Sequence, residues 1–183
     1  APEVGERQHW PRLPILAGAA AAQSIARLGG RVGVKWPNDL LASDGAKLGG
    51  ILVEAGPGPS GRPVFGIGLN VNAQAVDLPA GATSLRDGSG VPWDRNRLAA
   101  ALVADLKAGW TTLGREGFGP IQQSWMAQAC WLDQPVSVVA ETATWSGRMA
   151  GIDPWGRLRL ATVEGERLLS AGDVSLRRDH GVD

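Results

Sequence analysis

The sequence has few of the side chains that form disulfides or bind soft metals. Cys130 is its single cysteine, and its two histidines, His9 and His180, lie near the two ends of the chain. One cysteine excludes an internal disulfide and a cysteine-rich zinc site. We therefore expect no protein-bound metal and predict the reducing cytoplasm as the setting of this protein.

Net charge and long hydrophobic runs are also lacking. The formal net charge is +0, with 18 basic and 18 acidic residues, so no basic face for a nucleic-acid backbone is predicted. The most apolar stretch, residues 13–28, is interrupted by Gln23, Ser24 and Arg27, and it is too short and too polar for a membrane span. Nucleic-acid and membrane partners are therefore not expected.

Lysine is scarce in a sequence that is otherwise rich in cations. Lys35, Lys47 and Lys107 are its three lysines, against 15 arginines. An ammonium is a compact point charge on a flexible stem, whereas a guanidinium is a planar fork. Each lysine in such a sequence therefore raises the question of why a compact ammonium stands there, although Lys107 lies on a predicted amphipathic helix and needs no function.

The first 132 residues alternate between helical and strand patterns. Residues 14–28 have helical composition and stop at Gly29-Gly30. Residues 73–94 show no sustained period and predict a long surface connection. The predicted strands are 31–42 with a break at 37–39, then 47–55, which should pair with it as a hairpin, and 64–71. The predicted later helices, which should pack together, are 96–113 and 118–130.

From Pro135 the pattern changes to short alternating runs separated by turns such as residues 153–156. Such a series predicts a small all-β barrel. We therefore predict two domains, residues 1–132 and residues 133–183. The predicted barrel strands are 136–140, 146–152, 157–161, 167–170 and 174–177.

Two neighbouring motifs carry the clearest functional signal. Lys35-Trp36-Pro37-Asn38-Asp39 is followed by the strand Lys47-Leu48-Gly49-Gly50-Ile51-Leu52. This pair resembles the central motif of the biotin protein ligases. Later segments resemble the same family in the same order, and the ordered set is far more specific than any one piece. These segments are residues 66–72, 82–85, 151–154, 156–158 and 171–177.

The resemblance implies an α+β fold. A mixed, largely antiparallel sheet flanked by helices would form an incomplete catalytic domain of the class II aminoacyl-tRNA synthetase-like, biotin and lipoate ligase type, followed by a small SH3-like β-barrel. The implied activity converts biotin and ATP, with Mg²⁺, to biotinyl-5′-AMP and transfers the biotin to a lysine of a biotin carboxyl carrier protein. A homodimer is among the assemblies that the resemblance allows.

The chemistry of adenylation explains why the lysines are wanted. Attack of a carboxylate on the α-phosphate of ATP brings two anions together, and preorganised cations lower that barrier. We predict Lys47 and Lys35 as catalytic residues, and the resemblance implies that Lys47 reaches both the biotin carboxyl group and the phosphate. Gly49 and Gly50 are predicted, with Lys47, to bind biotin, because glycine lets a ligand approach the strand backbone closely.

The predicted ATP site combines Lys35 with four other residues. Asn70 offers a donor and an acceptor, suited to an adenine edge or a ribose, although it could equally satisfy a sheet edge. Asp39 could hold Lys35 or a magnesium-bound water, and Asn38 could bind phosphate or its own turn. Arg177 matches an arginine that, in the family, points from the barrel toward the nucleotide.

The match begins partway into the family pattern. Upstream of the helix at Pro14, family members carry a Thr-Asn-containing segment and a Gly/Arg-rich GRGRxGR loop, whereas this sequence starts at Ala1 without methionine. We therefore expect the C-terminal two-thirds of a ligase, and no detectable carrier biotinylation by this chain alone. Two alternatives stay open: a truncated, non-catalytic module that binds the carrier, and an acyl ligase for lipoate.

Overall fold

The computed structural model describes residues 7–56, 62–171 and 174–178. Short 3-10 turns cover Arg7–Arg12 and Ala75–Asp77. The α-helices are α1 (Leu13–Arg27), α2 (Leu85–Ser89), α3 (Arg95–Glu116) and α4 (Gly119–Met126). The strands of the first sheet are β1 (Gly33–Lys35), β2 (Asp39–Leu41), β3 (Lys47–Ala55) and β4 (Pro63–Leu69). Those of the second are β5 (Pro135–Ala140), β6 (Thr144–Ile152), β7 (Leu158–Thr162), β8 (Gly165–Leu169) and β9 (Val174–Arg178).

Helix α1 lies at the centre of the molecule, where the sequence predicts a packed helix. Pro14 stands in its first turn, where a missing N–H costs nothing, and Gly29 follows its end at φ 91°. Its many alanines are buried, so α3 and the first sheet approach it closely. Asp105 of α3 is buried against α1 and accepts from Ser24 Oγ (2.5 Å) and Arg27 Nη2 (2.6 Å), which fixes how the two helices pack.

The first sheet has the strand order β1-β2-β3-β4, and neighbouring strands are antiparallel. Parallel pairing occurs in two isolated bridges, Val34 with Ala129 and Lys47 with Ala82. Because side chains alternate along a strand, one face supplies core residues and packs against α1. The opposite face is open to solvent and carries the exposed side chains of Leu52 and Val64.

Three segments differ from the sequence prediction. The strand predicted over residues 31–42 is two strands, since the turn at 36–38 reverses the chain and pairs β1 with β2. The helix predicted to end at Cys130 ends at Met126, because the following backbone turns to exchange hydrogen bonds with Val34 at the edge of β1. The connection predicted over residues 73–94 contains α2, whose five residues are too few to show a period.

The second sheet has the order β8-β7-β6-β5-β9, with all neighbours antiparallel. These five strands pair with one another, as the predicted barrel requires, and the predicted α+β fold with an SH3-like C-terminal unit is confirmed. The division at residues 132 and 133 into two domains stays a prediction. Within the described ranges, none of the helices is both long enough and apolar enough to cross a membrane.

Candidate active site

Two lysines converge on one carboxylate at the open face of the first sheet. Lys35 Nζ lies 2.8 Å from Asp39 Oδ2, and Lys47 Nζ lies 2.6 Å from Asp39 Oδ1. The side chains of Lys35 and Asp39 are 17% and 16% exposed, whereas that of Lys47 is 53% exposed. Lys35 is therefore largely enclosed within the site, while the side chain of Lys47 is accessible to a ligand from solvent. We call these three residues the lysine–aspartate cluster.

Strand register explains why the cluster forms. The turn at residues 36–38 places Lys35 directly opposite Asp39, and Asp39 in turn lies opposite Gly50 of β3. Directly opposed residues of antiparallel strands point to the same face of the sheet. A register shift between Leu40 and Leu41 brings Lys47, the first residue of β3, alongside β2. Residues of three strands thus meet at one point.

The two ammonium groups keep Asp39 ionised. Burial alone would raise the pKa of the Asp39 carboxyl group, but hydrogen bonds from Lys35 and Lys47, together with their charges, outweigh it and lower that pKa. The cluster carries two positive charges and one negative charge. Its net positive charge suits an anionic ligand at the open face.

Gly50, rather than Gly49, faces the cluster. A Cβ atom on Gly50 would lie 3.6 Å from Asp39 Oδ1 and 3.8 Å from Lys47 Nζ, at ordinary contact distances. A Cβ atom on Gly49 would overlap the backbone carbonyl oxygen of Gly68 in β4. Glycine at position 49 is therefore explained by the packing of β3 against β4, and glycine at position 50 leaves room beside the lysines. The predicted binding of biotin by both glycines stays a prediction.

Gly66 and Gly68 continue this surface onto β4. The pairing of β3 with β4 runs without a bulge, with Gly68 opposite Gly50 and Gly66 opposite Leu52. Both glycines are exposed. Three glycines on one face therefore leave a flat strip of backbone beside the lysine–aspartate cluster, bordered by the apolar side chain of Leu52.

Both predicted asparagines bond to backbone near the cluster. Asn38 Nδ2 donates to Ile51 O at 2.8 Å, so this side chain braces the turn against β3. Asn70 Nδ2 donates to Thr83 O at 3.1 Å, and Thr83 N donates to Lys47 O at 2.9 Å. Asn70 is thus tied through one residue to the backbone of Lys47. The roles of both asparagines toward ATP stay predictions.

Arg177 lies in the barrel, away from these contacts. It is an exposed residue of β9 and pairs with Ser137 of β5. Among the described residues, neither an ion pair nor a hydrogen bond joins Arg177 to the lysine–aspartate cluster. Its predicted contact with the nucleotide stays a prediction.

Residues 81–83 contact the site through the backbone of Lys47, and the sequence does not predict this contact. Lys47 N donates to Gly81 O at 2.8 Å, and Ala82 forms the parallel bridge to Lys47. These bonds involve backbone atoms only, so the pattern of side chains in the sequence does not predict them. The proximity of Thr83 to Lys47 appears only when the connection after β4 folds back onto β3.

Cys130 lies near Lys35 but is not a reactive thiol. Burial raises its pKa to about 11, against the opposing charge of Lys35, so the thiolate needed for nucleophilic chemistry is scarce at neutral pH. In the part of the chain that the structure describes, no group of three or more His, Cys, Asp or Glu side chains could hold a metal ion.

Comparison with known proteins connects this chain with one family. Residues 132–177 match the family model described as the biotin protein ligase C terminal domain. The chain is 34% identical over 176 residues to the bifunctional ligase/repressor BirA of Bacillus spizizenii, covering 92% of this chain and 54% of that protein. It is 36% identical over 152 residues to the biotin--[acetyl-CoA-carboxylase] ligase of Paracoccus denitrificans, covering 79% of this chain and 62% of that protein.

A solved ligase shares the fold of this chain. The biotin protein ligase of Aquifex aeolicus, solved in complex with biotin and ATP, superposes with a TM-score of 0.84 at 22% identity, covering 96% of this chain and 76% of that one. The chain spans about half the length of the ligase/repressor that it matches. Its motifs, its two sheets and these relatives agree, and the chain belongs to the biotin protein ligase family.

Proposed function

We propose that this chain supplies part of the site that activates biotin with ATP and passes it to a carrier protein. The observation that carries the proposal is the lysine–aspartate cluster, with two ammonium groups on one carboxylate beside a flat strip of glycine backbone. The named activity of the Paracoccus denitrificans relative and the biotin and ATP complex of the Aquifex aeolicus ligase support it.

The proposed reaction needs cations beside the reacting phosphate, and Lys47 and Lys35 are the candidates. A carboxylate oxygen of biotin attacks the α-phosphorus of ATP, the new acyl–oxygen–phosphorus link forms, and the bond to the β-phosphate breaks to release pyrophosphate. Negative charge grows on the phosphoryl oxygens during this step, and a preorganised cation stabilises it. Lys47 is assigned this part because its exposed ammonium can leave Asp39 and follow the charge.

Lys35 and Asp39 have a supporting part in the proposal. Lys35 is mostly buried and stays paired with Asp39, so it provides a fixed positive charge behind Lys47. Asp39 holds Lys47 in place when no anionic ligand is bound. Gly50 and Gly68 allow the ligand to lie directly on the strand backbone beside these charges.

Magnesium enters this proposal with ATP. Both oxygens of Asp39 are already paired with lysines, and the described residues form no cluster of three metal-binding side chains. The residues present therefore do not fit a protein-bound Mg²⁺ at the cluster. Mg²⁺ belongs to the Mg·ATP substrate, and the assigned steps use only the side chains of the chain.

The transfer of biotin from the adenylate indicates which kind of partner protein is needed. The amine of a carrier lysine attacks the acyl carbon of the adenylate, AMP leaves, and the amine proton passes to water. The partner that this chemistry requires is a carrier domain that presents an unprotonated lysine, namely the biotin carboxyl carrier protein of a carboxylase. The proposal places the reaction in the cytoplasm, where a single cysteine stays reduced, and it allows a homodimer.

The lysine count allows a closely matched test. Biotin-dependent release of pyrophosphate from ATP is measured in the full-length gene product as wild type, Lys47→Arg and Lys107→Arg. Lys47→Arg should lower the rate by about 10²-fold to 10³-fold, because a guanidinium fork cannot take the place of the ammonium beside Gly50. Lys107 is an exposed residue of α3, so the same substitution there should leave the rate unchanged.

Other outcomes would separate the alternatives. Near-normal pyrophosphate release by Lys47→Arg would remove Lys47 from the reaction. A wild-type protein that binds the carrier domain and makes no adenylate would be the non-catalytic module. A protein that releases pyrophosphate with lipoate and not with biotin would be a lipoate ligase.

A further inference from the structure

The barrel is hydrogen-bonded to the hairpin of the first sheet at one of its turns. This turn, residues 153–156, joins β6 to β7, and the Asp153 carboxylate accepts from the N–H groups of Trp155 (2.8 Å) and Arg157 (2.9 Å). Gly156 N donates to Asp153 O at 3.0 Å, and Gly156 is buried at φ 80°, which glycine adopts without strain. The carbonyl group of Gly156 therefore has a fixed direction.

Trp36 ties this turn to the hairpin of the active site. Its side chain is 0% exposed, and its Nε1 donates to Gly156 O at 3.0 Å. Trp36 directly follows Lys35, the last residue of β1, and belongs to the core, whereas Lys35 pairs with Asp39 at the open face. Lys35 therefore faces the open side while Trp36 reaches through the core to the barrel. The turn that begins at Trp36 leads directly into Asp39.

We propose that Trp36 is a positioning residue for adenylate formation. Its bond to Gly156 fixes the hairpin of β1 and β2 against the barrel, and thereby sets where Lys35 and Asp39 hold the ammonium of Lys47. The proposal rests on the function proposed above. Reactions that depend on well-placed charges lose about 10²-fold in rate for a displacement of about 1 Å, so a loosened hairpin should be visible in the kinetics.

Attachment of the barrel does not depend on this bond. Gln122 Nε2 of α4 donates to Ile152 O of β6 at 2.7 Å. The guanidinium group of Arg12 lies 4.5 Å from the ring of Trp155 and 5.4 Å from the ring of Phe118. These contacts join the barrel to the N-terminal part of the chain without touching the hairpin. Removal of the Trp36 bond should therefore loosen the hairpin, which stays paired with β3, while the barrel stays in place.

Two substitutions test the hydrogen bond between Trp36 and Gly156, one in each partner. Trp36→Phe keeps a large apolar ring in the core and removes the donor. Gly156→Ala acts from the barrel, because the residue has φ 80° and a Cβ atom there would lie 3.1 Å from Pro11 O. Gly165→Ala is the matched control, since Gly165, the first residue of β8, also has a positive φ, 123°, but nothing lies within 4 Å of its Cβ position.

Single-turnover formation of biotinyl adenylate distinguishes a displaced hairpin from a loss of folded protein. Loss of folded protein lowers the amplitude and leaves the rate constant unchanged, whereas a displaced hairpin lowers the rate constant at full amplitude. We expect Trp36→Phe and Gly156→Ala each to lower the rate constant by about tenfold or more, with Gly165→Ala at the wild-type value. Unchanged rate constants with reduced amplitudes would overturn the proposal.

Hydrogen exchange tests the mechanical link without any substrate. In the full-length protein, Gly156→Ala should speed amide exchange across residues 33–41, although the substitution lies in the barrel, and Gly165→Ala should not. Unchanged exchange in Gly156→Ala would overturn the positioning role whatever the activity. A wild-type protein that makes no adenylate, combined with faster exchange in Gly156→Ala, would refute the proposed function and the catalytic part of this inference, and leave the link from barrel to hairpin standing.

Discussion

Asp39 is the residue that organises the candidate active site. One carboxylate group binds two ammonium groups of different exposure, one on a mostly buried lysine and one on a half-exposed lysine. Because the pKa of Asp39 is lowered, its carboxyl group stays ionised to lower pH than a free aspartate, and the arrangement persists with it. The stability of the hairpin and the charge at the open face therefore depend on the same group.

Asp39→Asn should destabilise the protein at neutral pH by about 1–3 kcal/mol, because charge-assisted hydrogen bonds are lost and two lysines are left together. The pKa of Asp39 is lowered in the folded state, so its stabilising effect is complete above the unfolded pKa of about 3.9 and is lost as pH falls through the folded value. Urea unfolding of wild type and variant at pH 7 and below pH 4 checks this.

The difference in unfolding free energy between wild type and Asp39→Asn should shrink at the acid end. Asp44→Asn is the control, because Asp44 is exposed and accepts one bond from Ala46 N within its own turn. A difference that stays constant with pH would show that Asp39 acts through packing and not through its charge.

Gly49 and Gly50 should respond differently to the same substitution. Gly49→Ala forces a Cβ atom into the backbone of β4 and should destabilise the protein by about 1–3 kcal/mol. Gly50→Ala meets no backbone and should fold normally, but its methyl group lies beside the lysines and should raise the KM for biotin. Urea unfolding and initial rates on both variants check the pair. Normal biotin kinetics in Gly50→Ala would show that the ligand does not lie over β3.

At the scale of elements, the packing of α1 on α3 includes a buried polar contact within an apolar interface. Asp105 is 9% exposed and accepts from Ser24 Oγ and Arg27 Nη2. A buried carboxylate is costly unless its oxygens are satisfied. The contact therefore selects one alignment of the two helices, and with it the position of the sheet that packs on α1.

Ser24→Ala should lower the free energy of unfolding by about 1–3 kcal/mol, because it leaves a buried acceptor short of one donor. Thr111→Ala is the control on α3, where the hydroxyl is exposed and donates to Lys107 O at 2.9 Å. It should change stability by less than about 0.5 kcal/mol. Equal effects of the two substitutions in urea unfolding would show that Asp105 does not depend on Ser24.

At the scale of the whole molecule, the barrel has a predicted part in nucleotide binding through Arg177. Arg177 and Arg178 are exposed neighbours at the end of β9, and alternation sends them to opposite faces. Arg177→Ala should raise the KM for ATP by roughly tenfold to a hundredfold, the effect of losing a charged hydrogen bond of about 1.5–3 kcal/mol. Arg178→Ala should leave that KM unchanged. Equal KM values for both variants would contradict the role of Arg177.

Short-range patterns correctly predicted most elements of the fold. Helix α1 has helical composition, and helix α3 and the five barrel strands each have a period in consecutive residues, so composition and spacing suffice to recognise them. The ordered motifs also predicted the family, and they singled out Lys35, Asp39 and Lys47, which the fold brings together. The predicted boundary of an element was wrong where a residue distant in sequence determines where the element ends. Helix α4 ends at Met126 because the next residues hydrogen-bond to β1.

The sequence by itself determined the elements, their order and the residue types of the site, because these depend on local periodicity and on a recognisable motif. The tertiary structure alone decided that Asp39 binds both lysines, that Gly50 faces them while Gly49 packs on β4, and that Trp36 bonds to the barrel. The physical reason is that strand register and core packing choose partners far apart in the chain. Trp36 and Gly156 lie 120 positions apart. The residues around Trp36 do not show which carbonyl group accepts from its buried indole N–H.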